Sequence, residues 1–154
     1  MRFMAIVKAS AESEAGIPPS QELLAAMGAF NEEMVRAGVL VDANGLLASS
    51  KGARVKFSGD KRTVIDGPFA EAKELVAGYW ILEVKSKEEA VEWIRRCPNP
   101  GHVWNGEGTI SAAADAEVEI RQVSGPEDFG EAFTPEMQAQ EARMAAEMAA
   151  RHKS

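Results

Sequence analysis

The run LVAGYWILEV at residues 75–84 constrains the fold of this chain more than any other segment. Its aromatic and branched side chains, Tyr79, Trp80 and Ile81 among them, are typical of a β-strand. Because successive side chains of a strand point to opposite faces, we expect Tyr79 and Trp80 on opposite sides of a sheet. One of them is expected in the core, and the other is expected to line a pocket or a dimer interface. A strand this apolar is predicted to be central, with both of its faces covered.

The segments around this strand alternate between strand-like and helix-like patterns. The predicted strands are residues 2–8, the two arms of a hairpin at 54–57 and 62–65, the run 75–84, and residues 116–123. The predicted helices are residues 21–37 behind the cap Ser20, residues 87–97 behind a capping box of Ser86 and Glu89, and a tail helix over 135–151. Loops are expected at 9–19 and 99–114, and a turn at Asn44-Gly45.

This order predicts an α+β fold with two similar β-α-β halves. It matches the split βαβ pattern of a ferredoxin-like βαββαβ protomer with an antiparallel sheet. We expect one domain at residues 1–124, followed by a C-terminal linker and tail helix at 125–154. The helices of such a sheet gather on one face, so the other face needs a cover, and a homodimer is the simplest one.

The composition narrows the function. A net charge of −7 at pH 7 argues against nucleic acid as a partner, because nucleic-acid binding needs a basic surface. The single cysteine, Cys97, cannot form an internal disulfide and favours a reducing, cytoplasmic location. No apolar run reaches the ~20 residues that span a bilayer, so no membrane segment is expected. The sequence contains no CxxC, HExxH or similar cluster of metal-ligating residues, so we expect no metal. It contains no glycine-rich phosphate loop after a strand, so we expect no cofactor.

Residues 66–74, DGPFAEAKE, raise the question of a catalytic loop before the central strand. Asp66 could serve as a general acid or base, or its side chain could cap its own turn. Phe69 would either anchor the loop to the core or line a pocket. Lys73 could hold an anionic ligand, although a solvated charged turn is the commoner outcome for such a segment.

Further candidates lie on the last strand and in the loop before it. Glu119 and Arg121 are two residues apart, so their side chains share one strand face. Arg121 could pair with Asp66, hold a substrate carboxylate beside Glu119, or form only a surface ion pair. His102 is the candidate general base near neutral pH within the domain, although a lone loop histidine is more often simply exposed.

Several short motifs in combination resemble the YCII-related family, in particular its branch named for the motif DGPF. The matching residues are Asp66–Phe69, Glu71, Lys73–Glu74, Gly78–Tyr79, Ser86, Glu89–Ala90, Cys97–Pro98 and Glu119–Arg121. The resemblance covers about residues 2 to 123. It implies a dimeric α/β barrel of ferredoxin-like protomers. A branch of the family has a His–Asp pair proposed as acid and base, and neither His102 nor His152 stands where that histidine is expected.

The resemblance leaves two functions open. Some relatives are similar in fold to muconolactone isomerases, and at least one acts on a chlorinated ring compound. They imply a cofactor-free enzyme for a small anionic or ring metabolite, with Asp66 as acid or base and Arg121 or Lys73 holding the anionic group. Other relatives are encoded beside, or fused to, sigma factors of the extracytoplasmic-function type. They imply a non-catalytic dimeric module that binds a small ligand or has a regulatory role in a sigma-factor system.

Overall fold

The computed structural model describes residues 1–71, 74–101 and 115–153. The chain divides into two compact units, Met1–Gln122 and Val123–Ser154. The elements of the first unit are β1 (Arg2–Lys8), α1 (Ala11–Glu14), α2 (Gln21–Arg36), β2 (Leu40–Gly45), a 3-10 turn (Ser49–Lys51), β3 (Ala53–Ser58), β4 (Lys61–Asp66), β5 (Val76–Glu83), α3 (Lys87–Arg95) and β6 (Val118–Gln122).

Four of these strands form an antiparallel sheet in the order β2-β5-β1-β6. When the β3–β4 hairpin is set aside, the chain order is strand, helix, strand, strand, helix, strand. The second and last strands of that series form the edges of the sheet. This is the ferredoxin-like arrangement, so the predicted fold class is confirmed. The apolar run at 75–84 supplies β5, which lies between β2 and β1, so its predicted central position in the sheet is confirmed.

The predicted hairpin is confirmed, but it is an addition to the main sheet. Among the described strands, β3 and β4 pair only with each other. The turn predicted at Asn44-Gly45 is wrong, because these two residues end β2 and pair with Tyr79 and Gly78 of β5. Asn-Gly is a common turn dipeptide, and here the pairing with a strong central strand overrides that local preference.

The core of the first unit lies between the sheet and the helices α2 and α3. Its buried residues are Phe3, Ala5, Phe30, Met34, Val39, Trp80, Leu82, Val84 and Ala90. The rings of Phe30 and Trp80 meet edge to face with centroids 6.0 Å apart. Such a pair adds about 0.5–1.5 kcal/mol to the stabilisation that comes from burial alone.

The helix ends of the first unit correct two sequence expectations. The backbone N–H of Glu89 donates to Ser86 Oγ at 3.1 Å, so the predicted cap of α3 is present. The predicted capping box is not completed, because the Glu89 carboxylate accepts from the N–H of Lys85 at 2.7 Å instead. The loop expected at 9–19 contains α1, which Ser10 and Ser13 cap reciprocally.

The second unit holds a 3-10 segment (Pro126–Ala132) and α4 (Pro135–His152). The tail helix is therefore confirmed, with Thr134 accepting the capping hydrogen bond from the N–H of Met137. The methionine stripe of α4 is exposed, with relative accessibilities of 48–57% at Met137, Met144 and Met148. Within the described residues, no helix has both the length and the apolar character needed to cross a membrane.

Candidate functional site

The two faces of the four-stranded sheet carry different side chains. As predicted, Trp80 lies in the core and its neighbour Tyr79 lies on the opposite face, which we call the open face. The strand register arranges the open face in two rows, each running from β2 through β5 and β1 to β6. The rows are Asp42, Ile81, Met4, Arg121 and Asn44, Tyr79, Ile6, Glu119. The open face is therefore apolar along its centre and polar at both edges.

The turn at residues 66–69, here called the DGPF turn, is fixed by close packing. The N–H of Gly67 donates to the carbonyl of Gly52 at 3.0 Å. The N–H of Phe69 donates to Ser49 Oγ at 3.0 Å. Ser49 in turn binds the Glu14 carboxylate through its hydroxyl and through its N–H, the latter at 3.0 Å. A Cβ at Gly67 would lie 1.8 Å from the Ser49 carbonyl oxygen, so this position admits only glycine.

The predicted site residues of this segment occupy different surroundings. Phe69 is half-buried, and the guanidinium of Arg54 lies 3.9 Å from its ring centroid. Asp66 is exposed at the end of β4, and its carboxylate makes no hydrogen bond or ion pair with the described residues. Lys73 and His102 lie outside the described residues.

Arg121 and Glu119 lie on the open face of β6 and form an ion pair with each other, with Nη1 3.7 Å from Oε2. An exposed pair of this kind contributes about 0–1 kcal/mol to stability. Both residues belong to the four-stranded sheet, whereas Asp66 belongs to the two-stranded sheet. Among the described residues of the chain, Arg121 forms its ion pair with Glu119 and none with Asp66.

Tyr79 is held in a polar cluster at the opposite edge of the open face. Its hydroxyl donates to Asp42 Oδ2 at 3.2 Å and accepts from Asn44 Nδ2 at 3.1 Å. Asn44 also donates to Asp42 Oδ1, at 3.2 Å. The cluster fixes the phenol ring beside the last residues of β2.

A cavity of about 850 Å³ opens where α2 and the chain before it meet the ends of β1, β2 and β5. Most of its wall is apolar and includes Val7, Ile17, Leu23, Leu24, Met27 and Trp80. Its volume lies within the range of small-molecule sites, and a mainly apolar wall with few polar groups is typical of them. Of the predicted site residues in the described parts of the chain, only Tyr79 lines this cavity.

The charged groups of the cavity wall differ in their exposure. Lys8 is half-buried, and its ammonium forms no ion pair with the described residues. Asp115 and Glu117 also line the cavity, and both are exposed to solvent. The less exposed of these charges is thus a cation that lacks a protein counter-ion among the described residues.

A tryptophan and an asparagine supply the second polar feature of the wall. The indole N–H of Trp80 donates to Asn31 Oδ1 at 2.8 Å, and both residues line the cavity. Sequence patterns did not indicate Lys8 or Asn31. Two signals could have found them. Lys8 ends the apolar run of β1, and Asn31 lies four residues after Met27, on the apolar stripe of α2.

The thiol of Cys97 is packed against neighbouring groups. The thiol of Cys97 donates to the carbonyl of Pro98 at 3.1 Å and lies 3.8 Å from Met27 Sδ. Burial raises the pKa of this thiol from 9.0 to about 11, so it is packed in its protonated form. In the parts of the chain that the structure describes, no three His, Cys, Asp or Glu side chains gather closely enough to hold a metal ion.

The sheet order and the cavity define a small α+β protein of the ferredoxin-like class. The profile of the YCII-related domain matches residues 1–109, and the chain belongs to this family. It is also similar to "Uncharacterized protein R00369" from Rhizobium meliloti (strain 1021), with 32% identity over 73 residues. That match covers 47% of this chain and 59% of the relative, which is less than two thirds of the relative's length. The predicted family is confirmed, and the assignment to the DGPF branch stays a prediction.

Proposed function

We propose that this YCII-related protein binds a small molecule that has an apolar, ring-shaped body and one anionic group. The observation that carries the proposal is Lys8, a half-buried residue in the wall of an apolar cavity of about 850 Å³, whose ammonium forms no ion pair with the described residues. In such a site the apolar wall supplies contact area, and a few polar groups fix the orientation of the ligand. A hydrogen bond to a charged group contributes about 1.5–3 kcal/mol, which is enough to select one end of a ligand.

The acidic residues of the cavity limit the charge of the ligand. Asp115 and Glu117 are exposed, so water and salt screen them more strongly than they screen the half-buried Lys8. A single negative charge beside Lys8 is therefore favoured, whereas a dianion would also meet the repulsion of these two carboxylates.

Two fluorescent probes that differ in one group test this proposal. 1-Anilinonaphthalene-8-sulfonate and N-phenyl-1-naphthylamine have the same aromatic rings, and only the first carries a sulfonate. We expect both probes to bind to the unchanged protein. We expect Lys8→Met to lower the affinity for the sulfonate about 5–10-fold, or roughly 1–1.4 kcal/mol. The affinity for the neutral probe should fall by less than about twofold. Titration of probe fluorescence measures both affinities.

The matched control is Lys56→Met, which removes the same charge from an exposed position of β3 outside the cavity. We expect this variant to bind both probes like the unchanged protein. An equal loss of affinity for both probes in Lys8→Met would indicate damage to the cavity. An unchanged affinity for the sulfonate in Lys8→Met would contradict the proposal.

A catalytic role of Asp66 is a second hypothesis. It assigns acid or base chemistry on a ring or lactone metabolite to Asp66, with Arg121 or Lys73 holding the anionic group. Asp66 is exposed, lies outside the cavity and belongs to a different sheet from Arg121, and this arrangement favours the turn role of Asp66 over the catalytic one. Turnover of a lactone and quinone panel that is lost in Asp66→Asn, at unchanged stability, would support it. Equal turnover by Asp66→Asn would contradict it.

A further inference from the structure

We infer that Asn31 selects ligands with an oxygen acceptor, because its side chain presents a fixed amide N–H donor to the cavity. The inference rests on the proposed function, since it names a second polar contact for the same ligand. It restricts the ligand class to carboxylates and related oxo compounds and excludes amines from this position.

The orientation of the Asn31 side chain follows from its contact with Trp80. Nε1 of Trp80 lies 2.8 Å from Oδ1 of Asn31, and an indole nitrogen can only donate a hydrogen bond. The partner atom must therefore be the amide oxygen, which removes the usual ambiguity between the two ends of an asparagine amide. Trp80 is itself fixed, because it is 6% exposed and packs edge to face on Phe30.

This orientation leaves the Nδ2 group of Asn31 as a donor for the ligand. Asn31 is half-buried and lines the cavity, and no described residue accepts a hydrogen bond from its Nδ2. Among the described side chains that are not exposed, every inaccessible nitrogen or oxygen atom has a partner. Nδ2 of Asn31 is therefore accessible to solvent, and the residue that carries it lines the cavity.

The other uncharged polar side chains of the wall are already engaged with protein groups. Ser10 and Ser13 bind each other's backbone N–H in the reciprocal cap of α1, at 3.1 and 2.9 Å. Asn44 donates to Tyr79 at 3.1 Å. Ser10 Oγ only accepts in this cap, so the side-chain donors left to a ligand in the described part of the wall are the Lys8 ammonium, the Asn31 amide and the Ser10 hydroxyl. All three match the oxygens of a carboxylate.

The substitution Asn31→Asp tests the donor of this side chain separately from its acceptor. Its carboxylate still accepts from Trp80, but the donor to the cavity is lost and a negative charge takes its place. The probes are 2-naphthoate and 2-naphthylmethylamine, measured with the full chain by isothermal titration calorimetry. We expect the unchanged protein to prefer 2-naphthoate by at least about tenfold. We expect Asn31→Asp to weaken 2-naphthoate about tenfold or more, with no loss of affinity for the amine.

Two controls distinguish a change in selectivity from a change in structure. Gln21→Glu introduces the same charge difference at an exposed position of the same helix outside the cavity, and should leave both affinities unchanged. The indole ¹⁵N–¹H resonance of Trp80 should stay protected from solvent exchange in Asn31→Asp, since its acceptor is retained.

The outcomes separate this inference from the proposed function. Three outcomes would overturn the role assigned to Asn31. The first is an unchanged affinity of Asn31→Asp for 2-naphthoate, and the second is an equal loss of that affinity in Gln21→Glu. The third is an indole N–H of Trp80 that exchanges freely with solvent in Asn31→Asp. Binding that depends on Lys8 would survive that result. Failure of the unchanged protein to bind either naphthyl compound would overturn the proposed function, and this inference with it.

Discussion

Gly67 and Gly52 are hydrogen-bonded to each other, yet the space around their Cα atoms differs. A Cβ at Gly67 would lie 1.8 Å from the carbonyl oxygen of Ser49, whereas a Cβ at Gly52 would lie 3.5 Å from it, an ordinary contact. We expect Gly67→Ala to lower the free energy of unfolding by about 1–3 kcal/mol, because backbone atoms must move apart. Gly52→Ala should change it by less than about 0.5 kcal/mol. Chemical denaturation followed by circular dichroism compares the two, and equal stabilities would contradict the close packing.

Cys97 makes stability depend on alkaline pH. Burial raises the pKa of its thiol from 9.0 to about 11, so the unfolded chain releases this proton at a lower pH than the folded chain does. The stabilisation from the protonated thiol is therefore complete below pH 9.0 and is lost as the pH rises to about 11. We expect Cys97→Ser to show a smaller loss of stability over this range, measured by urea denaturation at each pH.

The alkylation rate provides an independent check on the same thiol. Since the thiolate is the reactive form, iodoacetamide at neutral pH should modify Cys97 more slowly in the folded chain than in urea. Equally fast modification of the folded protein would mean that the thiol is not packed.

At the scale of elements, the β3–β4 hairpin joins the rest of the first unit at its two ends. All of its residues are exposed, and its ends meet where the Gly67 N–H donates to the Gly52 carbonyl at 3.0 Å. We expect replacement of residues 53–66 by a two-residue Asn-Gly turn to leave the four-stranded sheet folded. The midpoint temperature of thermal unfolding should shift by less than about 5 °C, and the sulfonate probe should still bind. Loss of the cooperative transition would show that the hairpin supports the sheet.

The elements with a strong pattern of their own were predicted correctly from the sequence. The apolar stripe of α2, the alternation in the hairpin and the apolar run of β5 each stand out without knowledge of their neighbours. In contrast, β2 ends in Asn44-Gly45, and only its pairing with β5 makes this dipeptide part of a strand. Likewise, Lys8 and Asn31 lie on different elements, and only the fold brings them to one cavity wall.

At the scale of the whole molecule, we propose that the open face packs against a second copy of the chain. In the first unit, α2 and α3 pack on the opposite face. One row of the open face has the acidic Asp42 at the β2 edge, two apolar residues at its centre, and the basic Arg121 at the β6 edge. A two-fold axis parallel to the strands would place Asp42 against the partner subunit's Arg121, and the apolar centres against each other.

Ile81→Arg tests this interface, because it places a charge in the apolar centre of the open face. We expect light scattering after size-exclusion chromatography to show a dimer for the unchanged chain and a monomer for the variant, since an unpaired buried charge is strongly unfavourable. Val35→Arg, at a position of α2 that is 62% exposed, is the matched control and should remain dimeric. A monomeric unchanged chain would contradict the proposal.

The packing of the DGPF turn has a consequence for how relatives are compared. Gly67 and Phe69 contact the 3-10 turn at Ser49–Lys51 and the arginine of β3, and neither lines the cavity. A homologue that retains this motif is therefore expected to share the way its hairpin is attached, whatever molecule it binds. Positions 8 and 31 are the ones at which we expect families of different ligand preference to diverge, and sorting homologues by those two residues should group them by chemistry.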